Sequence, residues 1–108
     1  MEIREKRQIM MRYAICLNRL IAANKNHNAQ PKTGRRAIPS RVTSLRKLEA
    51  SSGISFPIIQ SISKGKKNPA LTTIIAIADG LGITILDFFS TYNAITDAEV
   101  DQMLAKVR

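Results

Sequence analysis

The chain has 108 residues, a hydrophobic fraction of 44% and a formal net charge of +9. That length suits one domain with a modest core, and no apolar run approaches the ~20 residues needed to span a bilayer. The single cysteine, Cys16, excludes an internal disulfide and fits a reducing cytoplasm, while the cationic balance points to a polyanionic partner, most often nucleic acid.

The first 20 residues mix charged and apolar side chains and lack the apolar core of a signal peptide. Residues 4–25 carry Ile9, Tyr13, Leu17, Leu20 and Ile21 at three- and four-residue steps, the spacing of an amphipathic helix. Cys16, between Ile15 and Leu17, reads as a structural thiol, and Met10, Met11 and Met103 as core or interface filler. Residues 26–43, NHNAQPKTGRRAIPSRVT, contain Pro31, Gly34 and Pro39 and read as a basic loop. A loop of that length is usually functional or disordered. Its Lys32, Arg35, Arg36 and Arg41 would embrace phosphates or reach a minor groove, or else form a solvated insertion. His27, the only histidine, sits in this polar stretch and reads as solvated.

Ser44 is placed to cap a short helix, LRKLEASS, with Leu45 and Leu48 inward and Gly53 just past its end. Ser55 is expected to cap the next helix, whose first turn tolerates Pro57. Ile58 or Ile59, together with Ile62, supplies its buried face, and Gly65 stops it. LTTIIAIADGLG follows as a strongly apolar fourth helix. Thr84 and Asp87 make a capping box for a short fifth helix, ILDFF, and Thr96 and Glu99 do the same for a sixth, DAEVDQMLAKVR.

Charge is unevenly distributed along these elements. Residues 25–67 hold ten basic side chains against Glu49 alone, whereas residues 68–108 hold two against five acidic. The cationic block therefore surrounds the two short helices, which favours an anion-binding face over a merely solvated one. Catalysis finds no support: no Cys/His spacing suits zinc, no glycine-rich phosphate loop occurs, and Asp97, Glu99 and Asp101 fit a helix N-terminus. No cofactor or metal is implied.

Two short helices joined by SSGIS form a helix-turn-helix on pattern alone. The stretch LEASSGISFPIIQSISKGKKNPALTTIIAIADGLGITILDFF resembles the lambda-repressor-like (Xre/Cro) DNA-binding domain. The matching residues are the turn glycine Gly53, the mid-helix Ile59, the segment of Gly65, Lys66, Asn68 and Pro69, and the run of Leu71, Ala78, Leu81, Gly82, Ile83, Leu86 and Phe89. The resemblance covers residues 44–90, with 10–25 as the first helix. It implies an all-α, five-helix DNA-binding domain over residues 1–92, with an extended first helix and a long basic loop before a motif at about 44–65. Residues 93–108 add an extra C-terminal helix.

The resemblance also implies roles. Helix 56–64 would enter the major groove, with Ser55, Phe56, Pro57, Gln60 and Ser61 at bases; Gln60 can address adenine bidentately, and Phe56 can cover a thymine methyl. Lys64, Lys66 and Lys67, with Arg46, Lys47 and the loop's Arg35, Arg36 and Arg41, would hold phosphates. Three positions depart from the family pattern: Glu49 where a small alanine is usual, Leu45 in place of a glutamine, and Ser63 in place of an acid. An unpaired carboxylate at 49 would be costly, so it should tilt outward or find Arg46 or a backbone amide.

Val100, Met103, Leu104 and Val107 form one stripe on the sixth helix. That stripe can meet a second copy of the chain or fold back on the first helix, against Ile9 or Tyr13. A symmetric dimer is preferred, because members of the family commonly dimerise to set two recognition helices about 34 Å apart. The expectation is a cytoplasmic DNA-binding transcriptional regulator of prokaryotic type, not an enzyme, whose partner is double-stranded DNA. Two other readings stay open: an antitoxin or protein-partner module with secondary DNA binding, and a sequence-indifferent nucleic-acid accessory protein.

Overall fold

The periodicities of the sequence are realised as six helices: α1 (Ile3–Ala29), α2 (Leu45–Ser52), α3 (Phe56–Ser63), α4 (Leu71–Leu81), α5 (Ile85–Ala94) and α6 (Asp97–Lys106). The computed structural model describes residues 3–29 and 42–106, and the side chains of 5–26 and 42–106. Among the described residues there is no strand, and their fold is all-α. No single helix there is long and apolar enough to cross a membrane.

The long α1 is the scaffold, and α3, α5 and α6 all pack along it. It runs past the expected end at residue 25, in keeping with a sequence that offers no breaker before Pro31. Its buried face is also wider than a single stripe. Met11, Ala14, Ile15 and Cys16 join Leu17, Leu20 and Ile21 in the core, while Tyr13 and Ile9 are only half-buried. The reason is tertiary, since a helix met by four neighbours is dry on more than one side. Asn24, also buried, is satisfied there: its amide donates to the carbonyls of Val42 at 2.8 Å and Leu81 at 3.3 Å. Leu81 ends α4, so Asn24 supplies a donor to a carbonyl that has no partner within its own helix.

The short helices are set by their ends. Ser44 Oγ accepts from Lys47 N at 3.1 Å, and Gly53 closes α2 in the left-handed region at φ 76°. The two capping boxes form as expected: Thr84 with Asp87, and Thr96 with Glu99, where Glu99 N donates to Thr96 Oγ1 at 3.2 Å and Thr96 N donates to Glu99 Oε2 at 3.1 Å. The fifth helix, expected to be short, instead continues to Ala94. Tyr92, beyond the expected end, stacks near Tyr13 and Phe89, with ring centroids 4.9 and 5.7 Å apart. This aromatic packing holds a turn that local propensity alone leaves open.

The sixth helix turns its stripe inward. Val100 is buried, Leu104 is half-buried against the core, and Met103 is 38% exposed. Val100 is thus spent on its own chain and Leu104 only in part, and Val107 lies outside the described residues. Polar pairs fasten α6 from both sides: Arg12 bonds Asp97 and the Ile95 carbonyl, Arg19 pairs with Glu99 at 3.0 Å, and Gln8 donates to Asp101 at 3.3 Å. The acids 97, 99 and 101, expected to serve a helix N-terminus, thus also reach α1: Asp97 and Glu99 bind its cations, and Asp101 accepts from the neutral Gln8 amide.

α2 and α4 approach closely at Gly80. A Cβ on Gly80 would stand 2.9 Å from Ser51 Oγ, 2.9 Å from Ser52 Cβ and 3.0 Å from Ser52 Cα. Alanine is ~1 kcal/mol better than glycine inside a helix, but overpacking against a neighbouring backbone costs ~1–3 kcal/mol. Gly80→Ala should therefore destabilise the protein by up to ~2 kcal/mol in urea unfolding; a stabilised variant would refute the close approach.

Acid should loosen α6. The Arg19 guanidinium and then the Thr96 amide hold the Glu99 carboxyl below its ordinary value. A group whose pKa is lowered by folding contributes stability above its unfolded value of about 4.5 and loses it as pH falls through the lower folded value. The melting temperature should drop between about pH 6 and about pH 3, and drop less in Glu99→Gln. Equal drops in the two proteins would remove this assignment.

Candidate nucleic-acid interface

The joint between α2 and α3 begins with a problem of unsatisfied donors. Ser55 occupies the N-cap position of α3, but its hydroxyl makes no capping bond. Pro57 stands in the first turn and has no N–H, and Ile58 N already donates to the Ser55 carbonyl at 3.1 Å. The donor left over is Phe56 N, and it donates to Glu49 Oε2 at 2.8 Å. The side-chain cap expected from Ser55 is thus made from the preceding helix. Glu49 has found the backbone amide anticipated for it, and a carboxylate at a helix N-terminus also complements the helix dipole. The serine hydroxyl is left exposed.

A second contact ties the same two helices. The Arg46 guanidinium lies over the Phe56 ring, 4.0 Å from its centroid, within cation–π range. The sequence pattern places Phe56 at bases and Arg46 at phosphates and does not pair them. Their spacing of ten residues across a turn has no signature in a one-helix periodicity, so only the fold shows it.

α3 buries Ile59 and Ile62 and leaves Ile58 36% exposed, which decides between the two candidates for its inner face. At about 100° per residue, Pro57, Gln60, Ser61 and Lys64 fall on the opposite side. Pro57 and Lys64 are exposed, and Gln60 and Ser61 are half-exposed. Among the described residues no hydrogen bond engages the Gln60 amide or the Ser61 hydroxyl. Phe56, half-buried, sits round the side toward α2. The expected base-reading residues therefore divide into an outward row and a flank.

Five cations flank α3 in the chain: Arg46 and Lys47 in the first turn of α2, and Lys64, Lys66 and Lys67 after α3, all exposed. Among the described residues none of the five is in an ion pair, and the one acid of the motif, Glu49, is engaged by Phe56 N. The lysines are held by a defined turn. Gly65 has φ 73°, and Lys66 N donates to Ser61 O at 3.0 Å. On the α1 side, Asn18 donates to the Ser63 carbonyl at 3.2 Å and anchors the end of α3. Arg35, Arg36 and Arg41, with Lys32, lie outside the described residues, as does the side chain of His27.

Burial keeps the thiol away from this face: Cys16 is fully enclosed, desolvation pushes its pKa up to about 12, and it donates to the Phe88 carbonyl at 3.5 Å. Among the described residues no group of three or more His, Cys, Asp and Glu side chains gathers that could hold a metal.

Residues 43–88 match the helix-turn-helix family model. No curated protein and no solved structure matches the chain.

Glu49→Ala should cost ~1 kcal/mol, the usual range for loss of an N-cap acceptor, whereas Glu49→Gln keeps an acceptor oxygen and should cost less. Urea denaturation of both variants checks this. An unchanged Glu49→Ala protein would mean that the Phe56 amide finds water equally well.

Proposed function

Residues 43–88 form a helix-turn-helix domain of the Xre/lambda-repressor-like family, and from that premise we propose that the protein is a DNA-binding transcriptional regulator of prokaryotic type. α3 would lie in the major groove of double-stranded DNA, a channel about 12 Å wide that admits one helix. The observation that carries this reading is the outward row of Pro57, Gln60, Ser61 and Lys64 on a helix flanked in the chain by five exposed cations.

Within that arrangement the roles follow from side-chain chemistry. Gln60 carries both a donor and an acceptor on one amide and can pair with N6 and N7 of adenine. Ser55 and Ser61 offer hydroxyls that can donate or accept at a base edge or a phosphate. Phe56, held under Arg46, presents apolar surface to a thymine methyl. Arg46, Lys47, Lys64, Lys66 and Lys67 supply phosphate contacts, which give affinity without sequence choice. Arg35, Arg36 and Arg41 add to that electrostatic term from the basic segment.

Selection from random duplexes should recover a sequence motif; a lack of enrichment would favour sequence-indifferent binding. On the selected site, each phosphate neutralised adds about 0.9 to the slope of log affinity against log salt. Lys67→Ala should weaken all duplexes and flatten that slope. Gln60→Ala should relax choice at one base pair, by ~1–3 kcal/mol if the contact is bidentate. Uniform weakening by Gln60→Ala would overturn its direct-readout role.

A further inference from the structure

A groove of about 950 Å³ runs beside α1, bounded by the end of α3 on one side and by α6 on the other. Its floor is apolar: Met10, Met11, Ala14 and Ile15 of α1, with Met103 and Leu104 of α6. From Arg7 to Ala22 it follows α1 for about 22 Å, four turns of helix. Arg7, Arg19, Lys64 and Lys66 are the charged residues lining it, Arg19 being already paired with Glu99, and among the described residues no carboxylate lines it.

We propose that this groove docks an acidic amphipathic helix of a partner protein, and that the docked helix displaces DNA. A long open trough matches a helix of about 15 residues laid along α1 better than a small molecule. Methionine flooring suits such a partner, because an unbranched thioether adapts to varied apolar surfaces. The cationic rim decides the sign of the occupant's polar face. A second copy of this chain, at net +9, brings the same charge, and so does the chain's own basic segment 25–41.

Displacement follows from shared residues. Lys64 and Lys66 line the groove and also belong to the cations flanking α3. Gly65 between them stands against Met11, whose Cε would be 2.9 Å from a Cβ there, and the Asn18–Ser63 bond lies at the same end. Carboxylates drawn to these lysines compete directly with phosphates. This exclusion rests on the DNA-binding reading, whereas docking itself does not.

The test uses the full chain and a labelled 16-residue probe peptide, with leucines at i, i+3, i+4 and i+7 spacing and glutamates elsewhere, beside a counterpart with lysines for the glutamates. Fluorescence anisotropy without DNA should show binding of the glutamate peptide and none of the lysine peptide. Met103→Glu and Ala22→Glu, at exposed positions of the groove, should each weaken the glutamate peptide about tenfold while keeping wild-type circular dichroism and duplex affinity. Unlabelled glutamate peptide should then release a bound duplex. No binding, or binding unchanged in both variants, overturns the docking site. A dimer in sedimentation that Met103→Glu dissolves assigns the face to a second copy and also overturns it. Peptide bound in the groove without release of duplex overturns the exclusion. A chain that binds the peptide but no duplex sustains the groove and sinks the DNA reading instead.

Discussion

Burial of the face of α1 from Met11 to Ile21 is the constraint on which the other elements depend. α3, α5 and α6 are too short to hold themselves as isolated helices in water, where fewer than about 12–15 residues is marginal. Each is stabilised by setting apolar side chains against this scaffold: Ile59 and Ile62 from α3, Phe88 from α5, Val100 from α6. The orientation of α3 is therefore inherited from a helix outside the helix-turn-helix segment. The Asn18 bond to Ser63 and the fit of Gly65 over Met11 add polar and steric registration to that apolar contact.

Within the motif, the carboxylate at position 49 shows how a departure from a family's usual residue is absorbed. A small side chain there would leave Phe56 N without a side-chain partner, since the proline that follows removes one of the donors a serine cap normally serves. Glu49 reaches across the turn to that amide, and Arg46 covers the Phe56 ring from the same helix. α2 thus holds the head of α3 through one charge-assisted hydrogen bond and one cation–π contact, beside the buried Leu48. The Ser55 hydroxyl is released from structural duty and faces solvent.

Electrostatics divides the molecule in a way that serves both faces. The acids of α6 are matched to Arg12 and Arg19 of α1, which neutralises the back of the scaffold. The cations of α2 and the segment after α3 have no such partners among the described residues. Net positive potential consequently concentrates around the outward row of α3, where a phosphate backbone would lie, and reaches the mouth of the groove beside α6.

Much of this was legible in the sequence because it is local. Capping residues, the glycines after α2 and α3, and apolar spacing identify six helices, and Gly53, Ile59 and the Gly65–Pro69 segment identify the motif. Each depends on backbone conformation or periodicity over a few residues. The outward row of α3 was readable for the same reason, since a helix with a known inner face has a known outer one. Partner choice among elements was not readable. Whether the stripe on α6 meets α1 or another chain, how far α5 continues, that Glu49 caps Phe56 and that Arg46 covers its ring all depend on which surfaces the folded chain brings together. Apolar spacing states that a face must be buried, but burial is non-directional and leaves the covering surface open. Only the tertiary structure, by fixing distances between residues far apart in the chain, decides it.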